Sequence, residues 1–274
     1  MPDTVPPVTG PAPAAAGPVI IGGVAELYLV GTGSAVSDPH RTTTMLALDN
    51  GTELLLIDCG GDAVQRMKET GLDVRRLNRM VVTHEHADHC SGFPLLMERL
   101  WVEGLRGRFH VHGIAEAVAQ VKRIHDAFNT ADWPDYPEIV FHEVDNRAGA
   151  EVLRTGGWDI RAVPCEHPVP CIGLDVTDTV SGGRLYYSAD TEPHAGQLEA
   201  ARNAPLLVHE ATGPLLPGHS SAAQAAELAA AAGAERLVLV HVPADGPERR
   251  ADLEAAAALF PAVELGSEGG RLTF

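Results

Sequence analysis

The sequence predicts one mixed α/β domain with two sheets held between helices. Three observations predict it. Short apolar runs alternate with amphipathic stretches from Val24 onward. No internal repeat and no second composition regime breaks that order. The residues able to carry chemistry recur directly after the apolar runs. Such an order buries sheets between helices. A chain of 274 residues admits one large domain or two small ones, and is long enough to bury a sizeable core. The unbroken pattern favours a single domain over 24–274.

The segment 1–23 reads as a disordered tail. It is rich in Pro and Ala, with too little apolar side chain to offset its ordering entropy. It has neither a basic leader region nor a long apolar core, so it is not read as a signal peptide. The apolar runs predict strands at 25–30, 44–48, 53–57 and 79–82, and again at 109–112, 158–163, 171–176, 184–187, 206–209 and 237–241. The strands at 171–176 and 184–187 are expected to form a hairpin across Ser181, Gly182 and Gly183. Amphipathic stretches predict helices at 62–70, 114–126, 195–201, 222–232 and 247–258. The fourth of these is alanine-rich and has strong intrinsic propensity.

Composition narrows the function. A net charge of −17 is a poor match for a nucleic-acid backbone, whose binding rests on Lys and Arg neutralising phosphates. No apolar run approaches the roughly 20 residues of a membrane helix. Cys59, Cys90, Cys165 and Cys171 form no CxxC pair, and the chain is too large to need disulfide staples. They read as thiols in a reducing cytoplasm, and sequence leaves open whether Cys165 and Cys171 meet.

The strongest signal is His84-Glu85-His86-Ala87-Asp88-His89, four potential ligands within six residues. Histidines at i and i+2 of an extended chain point the same way and can grip one metal ion. Asp88 and His89 then turn into a following helix and can face a second. Imidazole with carboxylate suits zinc and similar divalent ions.

His-x-His-x-Asp-His resembles the signature of the metallo-β-lactamase superfamily, and the rest of the chain resembles its ribonuclease Z branch. Leu29-Val30-Gly31-Thr32-Gly33-Ser34-Ala35 is similar to that branch's opening glycine-rich turn, with Arg41 downstream. Ile57-Asp58-Cys59-Gly60, Pro164-Cys165-Glu166-His167 and Ser188-Ala189-Asp190-Thr191 resemble its next motifs. His209-Glu210-Ala211-Thr212, Gly218-His219-Ser220-Ser221-Ala222 and Leu239-Val240-His241 complete the series. Any one match is weak, but the ordered series is specific.

The resemblance implies an αββα sandwich, two mixed sheets flanked by helices. It implies that His84, His86 and His167 hold one metal ion and that Asp88, His89 and His241 hold another. Asp190 then bridges both, together with a water or hydroxide. The ions are expected to be zinc, with manganese the alternative. Two divalent ions lower the pKa of a shared water far below about 15.7, which supplies a nucleophile at neutral pH. The resemblance also implies that Glu210 and His219 form a dyad that protonates a leaving oxygen, and that the chain is a homodimer. The bland alternative is that Glu210 caps a turn and His219 sits in a loop. Asp58 is expected to orient a ligand histidine.

Roles elsewhere stay more open. Arg41 is divided between a substrate phosphate and a structural role. His110 and His112 are expected to pack. His40, His125, His142 and His194 are expected to be solvated. Trp101, Phe128, Trp133 and Tyr136 are expected to pack, with lining of a substrate pocket as the alternative.

Two departures from the ribonuclease Z pattern matter. His167 and Asp190 are 23 positions apart (190 − 167), enough for a hairpin but not for the long tRNA-holding arm of many ribonucleases Z. Glu192 stands where that branch commonly has Arg. The expectation is therefore a binuclear hydrolase of small phosphodiesters. The alternatives are an arm-less tRNA 3′-processing endonuclease, a lactone or thioester hydrolase, or a non-catalytic metal-binding protein.

Overall fold

The computed structural model describes residues 23–213 and 216–274. All but the last residue of the expected tail lies outside the described residues. The first sheet has seven strands: β1 (Glu26–Gly31), β2 (Met45–Asp49), β3 (Leu54–Ile57), β4 (Leu77–Val82), β5 (Arg108–Ile114), β6 (Glu138–Val144) and β14 (Arg271–Thr273). Their spatial order is β14-β1-β2-β3-β4-β5-β6. The second sheet holds β7 (Glu151–Arg154), β8 (Trp158–Pro164), β9 (Ile172–Asp178), β10 (Arg184–Tyr187), β11 (Leu206–Glu210), β12 (Leu237–Val240) and β13 (Val263–Leu265). Its order is β13-β12-β11-β10-β9-β8-β7. Both sheets are mixed, as the sequence predicts.

Leu27, Leu46, Leu56 and Val81 of the first sheet share one apolar cluster with Ile160, Leu174, Leu185 and Val208 of the second. The sheets therefore face one another across a common core. Helices α1 (Ala63–Glu69), α3 (Phe93–Val102) and α4 (Ala115–Asp126) add Met67, Leu96, Leu100 and Val121 to that cluster. A second cluster packs α6 (Ala222–Ala232) and α7 (Pro247–Leu259) over Leu207, Leu237 and Leu239. The small face of α6, with Ala222, Ala225, Ala226 and Ala229 buried, lets it lie close to the sheet. Ser221 and Gln224 form a capping box at its start, and Gly233 ends it at φ +68. Such a cap stabilises a helix by about 1 kcal/mol.

Strand direction positions the site. β3, β4, β5 and β6 run parallel, and so do β10, β11, β12 and β13. Their C-terminal ends carry the loops with the motif residues, the usual place for a site on an open α/β sheet. Isolated bridges Gly33–Val242 and His84–Cys171 join the two sheets at this rim.

The hairpin forms as expected, with β9 antiparallel to β10. Sequence reading misses α3, β6, β7, β13 and β14, and three histidines need correction. His125, expected to be solvated, is 9% exposed and its Nε2 lies 2.9 Å from the Tyr136 hydroxyl. His142 stacks on His112 and lies 2.9 Å from His110. His194 caps the short α5 (Ala195–Ala200), accepting from the Gly196 N–H. No helix among the described residues is long and apolar enough to cross a membrane.

Candidate metal centre

β4 ends at Val82, and the chain leaves it through Thr83, His84, Glu85 and His86. His86 is the first residue before the one-turn helix α2 (Ala87–Cys90), which carries Asp88 and His89. This turn packs onto the loop after β3. There the Cys59 N–H donates to the His89 carbonyl at 2.7 Å, and a Cβ on Gly60 would come within 1.8 Å of the Asp88 carbonyl. Only glycine fits at 60. β8 leads to His167, β10 to Asp190, β11 to Glu210 and β12 to His241.

Three non-glycine residues at this rim, Asp58, Ala189 and His241, take left-handed backbone with φ of +60, +49 and +51. Backbone strain of this kind gathers at functional sites, where the surrounding structure over-determines it.

All seven residues expected as ligands converge. His84 Nε2 and His167 Nε2 each lie 3.1 Å from His86 Nδ1. His89 Nε2 lies 3.3 Å from His241 Nε2, and Asp88 Oδ2 lies 3.2 Å from His241 Nε2. Asp190 Oδ2 is 3.4 Å from both His89 and His241 and 3.8 Å from His84, so one oxygen faces both groups.

Proton positions follow from the partners behind four of the rings. The Asp58 carboxylate accepts from His89 Nδ1 at 2.9 Å. The Gly218 carbonyl accepts from His167 Nδ1 at 2.8 Å. Thr212 donates its hydroxyl proton to the His241 carbonyl, so at 2.6 Å it accepts from His241 Nδ1. Thr83 donates to Asp58 and so accepts from His84 Nδ1 at 3.0 Å. A neutral imidazole has one N–H, so these four rings turn bare Nε2 lone pairs toward the centre. The bare Nε2 atoms of His89 and His241 lie 3.3 Å apart, where lone pairs repel. Asp190 Oδ1 is buried without a partner.

The electrostatics agree. Burial pushes the Asp190 carboxyl up, but the His241 and His89 imidazoles outweigh it and hold the group well below the usual carboxylate range. Burial, then His89, holds His84 well below its ordinary value. Burial opposes charge on His89 too, yet the Asp190 and Asp58 carboxylates lift it well above. The cluster thus demands positive charge at its middle. A proton on His89 answers one lone pair, whereas divalent cations answer all of them and the orphaned oxygen. The nitrogen and oxygen donor set fits such ions.

His219 lies over this centre. Its ring is 5.1 Å from His167 and stacks at 5.7 Å on His241. Its Nδ1 donates to Glu210 Oε1 at 3.1 Å. Glu210 is fully buried and also accepts from the backbone N–H groups of Ser220 and Thr212 at 2.7 and 2.8 Å. It caps the turn and grips His219 at once. Burial lowers the His219 pKa, but the Glu210 hydrogen bond and charge outweigh it and set the net shift upward.

A cavity of about 330 Å³ opens above, walled by Ala35, Val36, Ala87 and Leu216 beside Asp88, Asp190, His219 and His241. A larger one of about 510 Å³, lined by His125, Trp133, Tyr136 and Phe141, contains none of the convergent residues. Trp101, Trp133 and Tyr136 pack on one another, Trp101 against Trp133 at 4.8 Å, whereas Phe128, expected to pack, is 60% exposed.

Arg41 donates to Thr32 Oγ1 and to the Gly266 carbonyl, which gives it a structural role. Glu192 accepts from the Gly218 N–H at 2.7 Å and so holds the loop that leads to His219. Sequence reading missed Thr83 and Thr212, because a hydroxyl behind a ligand ring leaves no spacing signature.

Residues 54–242 match the β-lactamase superfamily domain. The chain belongs to that superfamily. This member is similar to the ribonuclease Z of Parabacteroides distasonis, with 26% identity over 90% of this chain and 98% of that one. In fold it is similar to the metallo-β-lactamase fold protein YhfI of Bacillus subtilis, with a TM-score of 0.76 and 20% identity over 91% and 99% of the two chains. A diphosphatase of the PhnP family superposes with a TM-score of 0.69 and 21% identity over 91% and 98%. These structural likenesses establish the metallo-β-lactamase fold. The superfamily member is a hydrolase.

Proposed function

We propose that the chain is a binuclear metal-dependent hydrolase of small phosphodiesters. One observation carries the reading: two groups of donors meet across Asp190, with a carboxylate-gripped histidine above them. His84, His86 and His167 would hold one ion, Asp88, His89 and His241 the other, and Asp190 both. Zinc is the expected metal, with manganese the alternative. Bound there, divalent ions supply Lewis acidity and a nucleophile at neutral pH.

The chain's own residues do the rest. Glu210 accepts a hydrogen bond from the His219 Nδ1–H and steadies the ring's charge, which leaves Nε2 to face the cavity. As a water-derived hydroxide adds to phosphorus and the P–O ester bond breaks, His219 Nε2 gives its proton to the departing ester oxygen, and the proton shed in forming the next hydroxide restores the imidazolium. Apolar Ala35, Val36 and Leu216 line part of the cavity wall.

Small substrates are favoured over tRNA by three features. β9 and β10 are joined by a short turn where many ribonucleases Z carry the tRNA-holding arm. Glu192 is committed to Gly218. The cavity wall has no Lys or Arg among the described residues. The second reading, a tRNA 3′-processing endonuclease, draws on the relatives named ribonuclease Z. Metal-loaded protein should be assayed on bis-p-nitrophenyl phosphate, cyclic nucleotides, pre-tRNA, lactones and thioesters. Turnover confined to lactones or thioesters would refute the proposal.

A further inference from the structure

We infer that Asp58 positions one ligand histidine in each half of the centre, His89 directly and His84 through the Thr83 hydroxyl. Thr83 is then the positioning residue that ties the two halves together. This rests on the binuclear reading above.

Asp58 and Thr83 are both buried, 1% and 0% exposed. Asp58 Oδ1 accepts from the Thr83 N–H at 2.8 Å. Asp58 Oδ2 accepts twice, from the Thr83 hydroxyl at 2.9 Å and from His89 Nδ1 at 2.9 Å. An ionised carboxylate only accepts, so the single hydroxyl proton of Thr83 must point at Asp58. The lone pairs of Thr83 Oγ1 then face His84 Nδ1 at 3.0 Å, and that nitrogen must carry the proton. His84 Nε2 is thereby left bare and aimed at the centre, 3.1 Å from His86 Nδ1. One carboxylate fixes the tautomer of a ring on each side of Asp190.

The other ligand rings lack this sharing. His167 leans on the Gly218 carbonyl and His241 on Thr212, each a separate partner. The Asp58 backbone is also set for the task. It stands at φ +60 immediately after β3, with its N–H donated to the Val81 carbonyl at 2.9 Å. Its carboxylate thus reaches the base of the ligand loop after β4.

The test reads metal binding rather than turnover. Protein stripped of metal is titrated with Zn²⁺ against a chromophoric chelator, and Co²⁺ absorption follows each ligand field. Partners behind metal ligands are typically worth 10–100-fold in affinity. Thr83→Val should weaken one of two equivalents by that factor and leave the other near wild type. Thr83→Ser, which keeps the hydroxyl, should restore it. Asp58→Asn should weaken both equivalents, and adding Thr83→Val to it should cost little more. Wild-type affinity for both ions in Thr83→Val, or a Thr83→Ser protein as impaired as Thr83→Val, overturns the relay. Should Thr83→Val fail to fold, Asp58→Asn decides alone, since loss at only one equivalent overturns it. A wild-type protein that binds fewer than two equivalents overturns the binuclear reading itself and this proposal with it.

Discussion

At Glu210 a structural duty and a chemical one fall on the same carboxylate. It holds two backbone N–H groups at 2.7 and 2.8 Å as well as His219, so its removal would disturb the loop along with the chemistry. His219 is the cleaner probe. His219→Ala should slow phosphodiesters with alkoxide-like leaving groups by about 100-fold or more, the usual worth of a positioned general acid. It should slow p-nitrophenyl esters much less, because that leaving group departs without a proton. Equal losses on both would reduce His219 to a binding role. The acid form must be protonated and Glu210 raises its pKa, so rates with alkoxide-like esters should fall at a pH above the ordinary histidine value of about 6.5. Asp190 faces both groups of donors. Asp190→Ala should lower turnover by more than about 100-fold and weaken at least one metal, read by elemental analysis. Full metal content at a near-normal rate would refute its bridging role.

Among the elements, several strands that lead into the site were legible as short, fully buried apolar runs, as with Leu54–Ile57 and Leu237–Val240. What escaped lacked that signature. α3 begins with a proline in its first turn, where proline is tolerated but reads as a break. β13 and β14 have three residues each and owe their existence to pairing with β12 and β1. His84, His86, Asp88 and His89 were legible as candidate donors from their spacing, and His167, Asp190 and His241 only through the family resemblance, whereas the hydroxyls of Thr83 and Thr212 became visible only when folding brought them behind their rings. β5 and β6 carry a testable consequence of a second histidine group. His112 is buried, stacked at 4.3 Å on His142 and bonded to the Val152 carbonyl, with His110 and Arg79 nearby. Burial, then the His142 charge, lowers its pKa from 6.5 to about 4. The folded-state value is depressed, so the unfolded chain takes up the proton first as pH falls. Stability is then full above pH 6.5 and drains toward pH 4, a loss of about 3 kcal/mol at the limit. His112→Gln should lose about 2 kcal/mol less than wild type between pH 7.5 and pH 5, read from urea midpoints. An unchanged pH dependence would show that His112 is not the group responsible.

For the whole molecule, assembly and charge decide what can reach the site. We expect a homodimer, and a monomer by light scattering at micromolar concentration would contradict it. Charge gives the sharper test. RNA binding depends on cations that displace counterions, so it tightens as salt is lowered. This chain carries a net charge of −17, and the cavity wall has no Lys or Arg among the described residues. A polyanion approaching such a surface is repelled more strongly as screening is removed. Lowering salt should weaken or leave unchanged any pre-tRNA association, while hydrolysis of a small, singly charged diester should change little. Pre-tRNA binding that tightens steeply at low salt, with efficient cleavage at physiological ionic strength, would reveal a basic surface patch that outweighs the net charge. That result would promote the endonuclease reading over the small-molecule one.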